Sequence, residues 1–533
     1  MKFHILYRHL FVSVLLGLML GGVKANNVLI SDGPHFKRVA TGRAEIQYGV
    51  MWENSWNFKQ FDRHIMLDVS NWDAVWIFGK YSIDNGPWLH LYLNNNSASH
   101  RIEQSNVSLR VQVGTSMVEG TERAMGIFIH RDTAGNGTTE VNRAYLRWNY
   151  GEFGVSSQSA DESLRLRLFA IEMVYIPPGM FWFGDCGFPG RVETDPRFIV
   201  NYPSAFNLNG DIVTATAENC PDVSVIMPIT PESSLTFRGA AIHPNFPKGL
   251  EGFYVMKHPI TQAAWVDFLN TLTFTQQVRR TTNMNPAAGA TTFAMGGNGA
   301  GNRNWVRIRI AGVAATQAPA VYGHTGAPGA EAWNRDANGG NIAMTFLSIF
   351  DGLAYADWAG LRPMTEMEYE KINRGPLRPR SGEFAWRGRV PSEGINMQHE
   401  WTGRETMTGN FRSITGAPIR VGAFANSETN REQSGASFFG AMNMSDNVWE
   451  RVISLQDGST FFDGRHGDGT LAENGDADVE NWPNPTDRFE GWGTRGNQTS
   501  NRSQAETTGP ETPGALRPAG LSHFGFRAVR TAP

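Results

Sequence analysis

At 533 residues the chain is too long for one hydrophobic core, since domains settle near roughly 100 to 200 residues, and two or three domains are expected. A hydrophobic share of 41%, with 16 Trp, 32 Phe and 58 Gly, excludes disorder over most of the length and describes a globular, turn-rich protein. The formal charge of -4 excludes the basic footprint of a nucleic-acid-binding protein.

The first element is a charged, then apolar leader: Lys2 and Arg8, the run Phe11 to Leu20, and Gly21-Gly22-Val23-Lys24-Ala25, whose small last residue suits signal-peptidase cleavage. This predicts a secretory signal peptide over residues 1–25, because the apolar run is about ten residues, short of the ~20 needed to span a bilayer. Export to the periplasm, cell surface or extracellular space is expected, with no membrane span after cleavage. No cysteine lies near the cleavage point to carry a lipid. The two cysteines, Cys186 and Cys220, are candidates for a disulfide in an exported chain, and two separate buried thiols remain the alternative.

Residues 26–168 read as short alternating strands: Glu45 to Trp52, Ala74 to Tyr81, Trp88 to Leu93, Leu109 to Val113, Gly126 to His130 and Ala144 to Tyr150. Period-two alternation broken by Asn, Gly and Asp predicts an antiparallel β-sandwich. Trp52, Trp56, Trp72 and Trp76 on these strands are read as core, with sugar or protein binding as the alternative if they are exposed.

From residue 169 to 533 the texture changes to glycine- and asparagine-rich loops with a few compact helices. Trp265, Phe268, Leu269 and Leu272 follow a capping Thr261, and Ile342, Phe346, Ile349 and Leu353 form a second apolar face ending near Gly360. Thr365-Glu366-Met367-Glu368 is a capping box, and Gly375-Pro376 stops the helix it opens. His466-Gly467-Asp468-Gly469, with Asp463, Asp476 and Asp478, is read as a solvated turn, since its spacing matches neither a zinc site nor a calcium hand loop.

Five stretches in order carry a resemblance: Glu172 to Phe181, Phe253 to Lys257 with Ile260-Thr261-Gln262, Leu361 to Glu370, Met444 to Glu450, and the closing Gly525-Phe526-Arg527-Ala528-Val529-Arg530. Together they resemble the formylglycine-generating (sulfatase-modifying) family. The resemblance implies a compact, loop-rich fold related to C-type lectins, so that with the β-sandwich read from residues 26–168 the whole chain is expected to be α+β. It also implies a calcium turn at Asn443, Asp446, Val448 and Glu450, with Asp446 where the family has glycine, a position expected to take positive φ. At the family's second calcium site, Val421-Gly422-Ala423-Phe424 lacks the carboxylate, so that site is expected to be empty or weak.

The family's oxidation of a substrate cysteine uses copper held by two cysteines shortly before the closing Gly-Phe-Arg, thiolates being soft partners for Cu(I). From Trp492 to Pro533 there is no cysteine, and the usual Arg-Gly-Gly-Ser-Trp run reads Arg495-Gly496-Asn497-Gln498-Thr499. No catalytic residue and no copper are therefore expected. The resemblance extends to non-enzymatic domains of gliding-motility and secretion lipoproteins, implying a binding or assembly subunit with a protein or glycan partner at the envelope. A formylglycine-generating oxidase and a carbohydrate-binding protein are the alternatives.

Overall fold

The computed structural model describes residues 28–62, 67–183, 227–229, 236–237, 240–296, 302–325, 333–334, 339–377, 383–388, 390–400, 405–412, 417–426, 428–453, 459–483, 491–496, 504–505 and 523–533. The expected signal peptide and both cysteines lie outside these residues. The fold is α+β with antiparallel sheets. No helix among the described residues is long and apolar enough to cross a membrane.

The N-terminal part contributes β1 (Leu29–Ala40), β2 (Arg43–Asp62), β3 (Leu67–Ser82), β4 (Leu89–His90), β5 (Arg101–Ser105), β6 (Leu109–Val118), β7 (Thr121–Arg131), β8 (Gly135–Trp148) and β9 (Arg165–Ile176). In one sheet β2 lies between β1 and β8, with β5 outside β8. The strand β3 connects two sheets: its first residues pair with β2, and from Asp73 onward it pairs with β9 and, through Ala74 to Ile77, with β7.

Alternation along β3 sends its side chains into two cores. Val75, Ile77 and Tyr81 pack with Ile46, Val50, Trp52, Leu146 and Trp148 from the first sheet. Ala74, Trp76 and Phe78 face the other way, toward Phe169, Met173, Trp265, Phe268 and Trp358. A strand buried on both faces needs apolar residues at every position, which is why residues 74–78 form a continuous apolar run.

The strand β9 pairs with β3 through Val174 and with the strand Phe253–Met256 from Met173 to Ile176. The latter pairs with the terminal strand Ala528–Thr531, and that in turn with Arg362–Pro363. The boundary expected near residue 168 therefore falls inside a strand, and the N- and C-terminal parts share one sheet.

Helix Gln262–Leu269 begins where expected, with Thr261 Oγ1 accepting from the Ala264 N–H at 3.3 Å. Helix Glu366–Arg374 begins with the Thr365 and Glu368 capping box and stops at Gly375. The second expected helix is shorter than its apolar face: it spans Ile349–Trp358 behind a Ser348 and Asp351 capping box. Residues 342 to 347 are not helical because Ile342 and Ala343 make β-bridges and Phe346 takes φ 65°.

Candidate functional site

The closing Gly-Phe-Arg locks the C-terminal part together. Phe526 packs so closely on the helix Ile349–Trp358 that a Cβ at Gly352 would sit 2.0 Å from the ring. Arg527 is fully buried. Its Nε donates to both Glu450 carboxylate oxygens at 2.9 Å, and Nη2 donates to Oε1 at 2.7 Å. The remaining donors reach the carbonyls of Met256, Lys257 and Met442 at 2.7 to 2.9 Å. One guanidinium thus joins three chain segments, in the forked geometry that suits arginine to a buried carboxylate.

The expected calcium residues are brought together in this turn, but each polar side chain already has a protein partner. Asn443 Oδ1 accepts from the Gly422 N–H at 2.7 Å, while its Nδ2 donates to the Asp446 carboxylate at 3.0 and 3.1 Å. The Asp446 carbonyl accepts from the Val448 N–H at 2.9 Å, and Val448 itself is buried. Glu450 is engaged by Arg527. Positive φ falls on Asn443 (57°) and Asn447 (71°) and not on Asp446, which corrects the expectation for that position. Two asparagines, the residues that best tolerate left-handed backbone, make the turn without glycine. Burial pushes the Asp446 carboxyl up to about 7, with the Asn443 hydrogen bond opposing.

Beside this turn lies a buried ion network on the helix Glu366–Arg374. Arg495 reaches Glu370 at 3.1 Å and Glu366 at 3.4 Å. Arg374 reaches Glu370 at 3.1 Å and also bonds Glu383. Its Nη1 donates to the Trp182 carbonyl at 2.9 Å. Phe181–Phe183 pairs with Met227–Ile229, forming the stem of the insertion that carries Cys186 and Cys220. The stem is therefore tied, through Arg374 and Glu370, to the strand Trp492–Gly496, after which the family's cysteines would follow.

A cavity of about 420 Å³ opens between Asn54 to Phe58 of β2 and the segment from Ala425 to Met442. Trp56, Phe58, Phe438, Phe439 and Met442 supply its apolar lining. Trp56 Nε1 donates to Asn71 Oδ1 at 2.7 Å, and the Lys257 ammonium sits 4.9 Å from the Trp56 ring centre. The opposite segment approaches this indole at Gly440, φ 93°, where a Cβ would lie 2.9 Å from Cζ2. Of the four tryptophans read as core, Trp52 and Trp76 are fully buried, while Trp56 and Trp72 are half-buried. Trp72 stacks on Tyr175 at 3.9 Å, so Trp56 alone of the four reaches this cavity.

The His466 turn is not the solvated loop expected. Gly467 and Gly469 are buried. The Asp357 carboxylate accepts from the Asp468 N–H at 3.0 Å and the Asp478 N–H at 3.4 Å, and carboxylate oxygens of the three aspartates lie within 4.8 Å of one another. His466 Nε2 accepts from the Thr531 N–H at 3.0 Å. Buried Lys80 donates to the Gly469 carbonyl, burial drawing its ammonium down to about 7 with the charges of Asp357 and Asp468 opposing. Sequence reading missed this latch because Asp357 and Lys80 carry no local sign of it; the one visible clue was the crowding of Asp and Gly between residues 463 and 478.

Residues 170–532 match the sulfatase-modifying factor enzyme 1-like domain. A hercynine oxygenase of Mycobacterium tuberculosis (strain ATCC 25618 / H37Rv) is 33% identical over 111 residues, which cover 20% of this chain and 21% of that protein. The chain thus spans about a fifth of the length of this curated relative. With the terminal strand, the Arg527 anchor and the helix Glu366–Arg374 all inside the matched range, the chain belongs to the family of sulfatase-modifying factor enzyme 1-like domains.

Proposed function

We propose that this chain is an exported, non-catalytic member of the family, in which an N-terminal β-sandwich and a C-type-lectin-like domain together form a binding or assembly subunit of the bacterial envelope or extracellular space. The observation that carries this reading is the missing sulfur: no cysteine occurs from Trp492 to Pro533, and carboxylate, amide and hydroxyl groups do not replace thiolates toward Cu(I). The cavity between β2 and the segment from Ala425 to Met442 supports a binding role, being concave, mostly apolar and built from both parts of the chain.

The competing reading is an oxidase that recruits Cys186 and Cys220, and the link from the insertion stem to Arg495 is the observation in its favour. Copper titration with oxygen-uptake measurement on a cysteine-containing sulfatase peptide separates the two. No stoichiometric copper and no turnover are expected, with Cys186→Ser and Cys220→Ser leaving that result unchanged. One bound copper with turnover, abolished by either substitution, would sink the non-catalytic reading.

Calcium does not fit the turn as it stands. The Glu450 carboxylate already faces a guanidinium, the Asn443 amide is used at both ends, and the Asp446 carbonyl closes the turn. A dication there would compete with Arg527 for the Glu450 carboxylate, while burial holds the Asp446 carboxyl toward its neutral form. Millimolar calcium is expected to leave the denaturation midpoint within error of that in chelator, and a concentration-dependent rise would show that the turn opens to an ion.

A further inference from the structure

The polar groups around the β2 cavity have a one-sided chemistry. Arg431 is fixed by its own bonds: Nε donates to the Ala436 carbonyl at 3.3 Å, and Nη2 donates to the carbonyls of Asn373 and Ala385 at 2.8 and 2.6 Å. Its Nη1 makes no hydrogen bond among the described residues. The acid that acts on it most, Glu383, is already bonded to Arg374. Asn426 Oδ1 accepts from the Glu428 N–H, and Asn430 Oδ1 accepts from the Gln433 N–H, each amide thereby turning its Nδ2 away from those bonds. Asn71 is used at both ends, the Ser434 hydroxyl donates to Arg431, and the Ser437 hydroxyl accepts from the Ala441 N–H. Among the described residues no Asp or Glu lines the cavity, and the side-chain groups left for a ligand are donors; of the two cations in the lining, Lys257 is paired with Glu172 and Arg431 has Nη1 to offer.

A ligand for this site must accept hydrogen bonds, carry negative charge and bring an apolar body for Trp56, Phe58, Phe438 and Met442. Sugar hydroxyls fit poorly, because each is donor as well as acceptor and needs acceptors in return. A carboxylate only accepts. The last residue of a polypeptide places a carboxylate and an apolar side chain on the same Cα, matching a guanidinium edge beside an aromatic pocket.

We propose that this cavity captures the C-terminus of a partner polypeptide, the terminal carboxylate on Arg431 Nη1 and a large apolar last side chain against Phe58 and Phe438. This rests on the binding-subunit reading and names the ligand class for it. Phe58 is 46% exposed in the free protein, so covering it adds hydrophobic stabilisation available only in the complex.

The test is fluorescence anisotropy with a labelled Gly/Ser octapeptide ending in Phe, as the free acid and as the C-terminal amide. Saturable binding of the acid is expected, with the amide at least about tenfold weaker, since a charge-assisted bond is lost. Arg431→Gln should bring the acid down to the affinity of the amide and leave the amide unchanged. Phe58→Ser, at an exposed position and checked by an unchanged denaturation midpoint, should weaken both. Equal affinities for acid and amide, or no saturable binding of the acid, would overturn the proposal. So would an oligouronate that binds in an Arg431-dependent way while the peptide does not. None of these readouts involves copper or oxygen, so turnover in the oxidase assay would defeat the non-catalytic reading without touching this result, and the converse holds.

Discussion

Arg527→Met is expected to shift the urea midpoint by the equivalent of about 3–5 kcal/mol, the largest effect of any single substitution considered for this protein. The substitution leaves the Glu450 carboxylate buried and uncompensated, and it also frees the carbonyls of Met256, Lys257 and Met442. An unpaired buried charge costs far more than the net contribution of the pair, because the desolvation of Glu450 was offset only by the guanidinium. Adding Glu450→Gln should recover a large part of the loss by removing that charge. A double variant no more stable than Arg527→Met would show that carbonyl bonding, and not charge pairing, is the main role of this arginine.

The second large effect concerns pH. Asp446 is raised by burial from the ordinary 3.8 to about 7, so the folded protein holds a proton there that the unfolded chain has lost. Its contribution is most favourable below pH ~3.8 and is lost as pH rises toward about 7, above which the ionised carboxylate is a constant liability. Asp446→Asn keeps the shape, lets the amide oxygen accept from Asn443, and removes the titration. The variant should match the parent near pH 4 and exceed it at pH 8, by about 1.4 kcal/mol for each pH unit of the window traversed. Denaturation midpoints of both proteins across pH 4–8 provide the check. Asp73, also raised to about 7 by burial, titrates in both proteins, so the difference between them isolates Asp446. A parent more stable than the variant at pH 8 would mean that the carboxylate is ionised and paired.

Local features were legible because their causes are local. Thr261 and Thr365 cap helices with side-chain oxygens three residues from the amides they accept from, and both helices begin where the sequence places them. The apolar face from Ile342 misled because periodicity records burial and not backbone: Ile342 and Phe346 are buried from extended and left-handed conformations. Strand β1 went unread for the opposite reason. Its side chains are mostly exposed, so it carries no alternation, and it exists through pairing with β2. The run Trp88 to Leu93 alternates well, yet only Leu89–His90 forms a strand, on β3, and Leu93 adds a single bridge to Ala124 of β7.

By itself the sequence determined the family, through five ordered stretches, and the missing soft donors, because an element absent from the chain cannot be supplied by folding. Tertiary structure alone decided where charge is compensated. It set Arg527 on Glu450 and Lys257 on Glu172, left Arg431 with an open edge among the described residues, and placed Trp56 across from Phe438. Capping depends on neighbours within one turn of the chain, whereas desolvation and ion pairing depend on distances in space that the chain order leaves open.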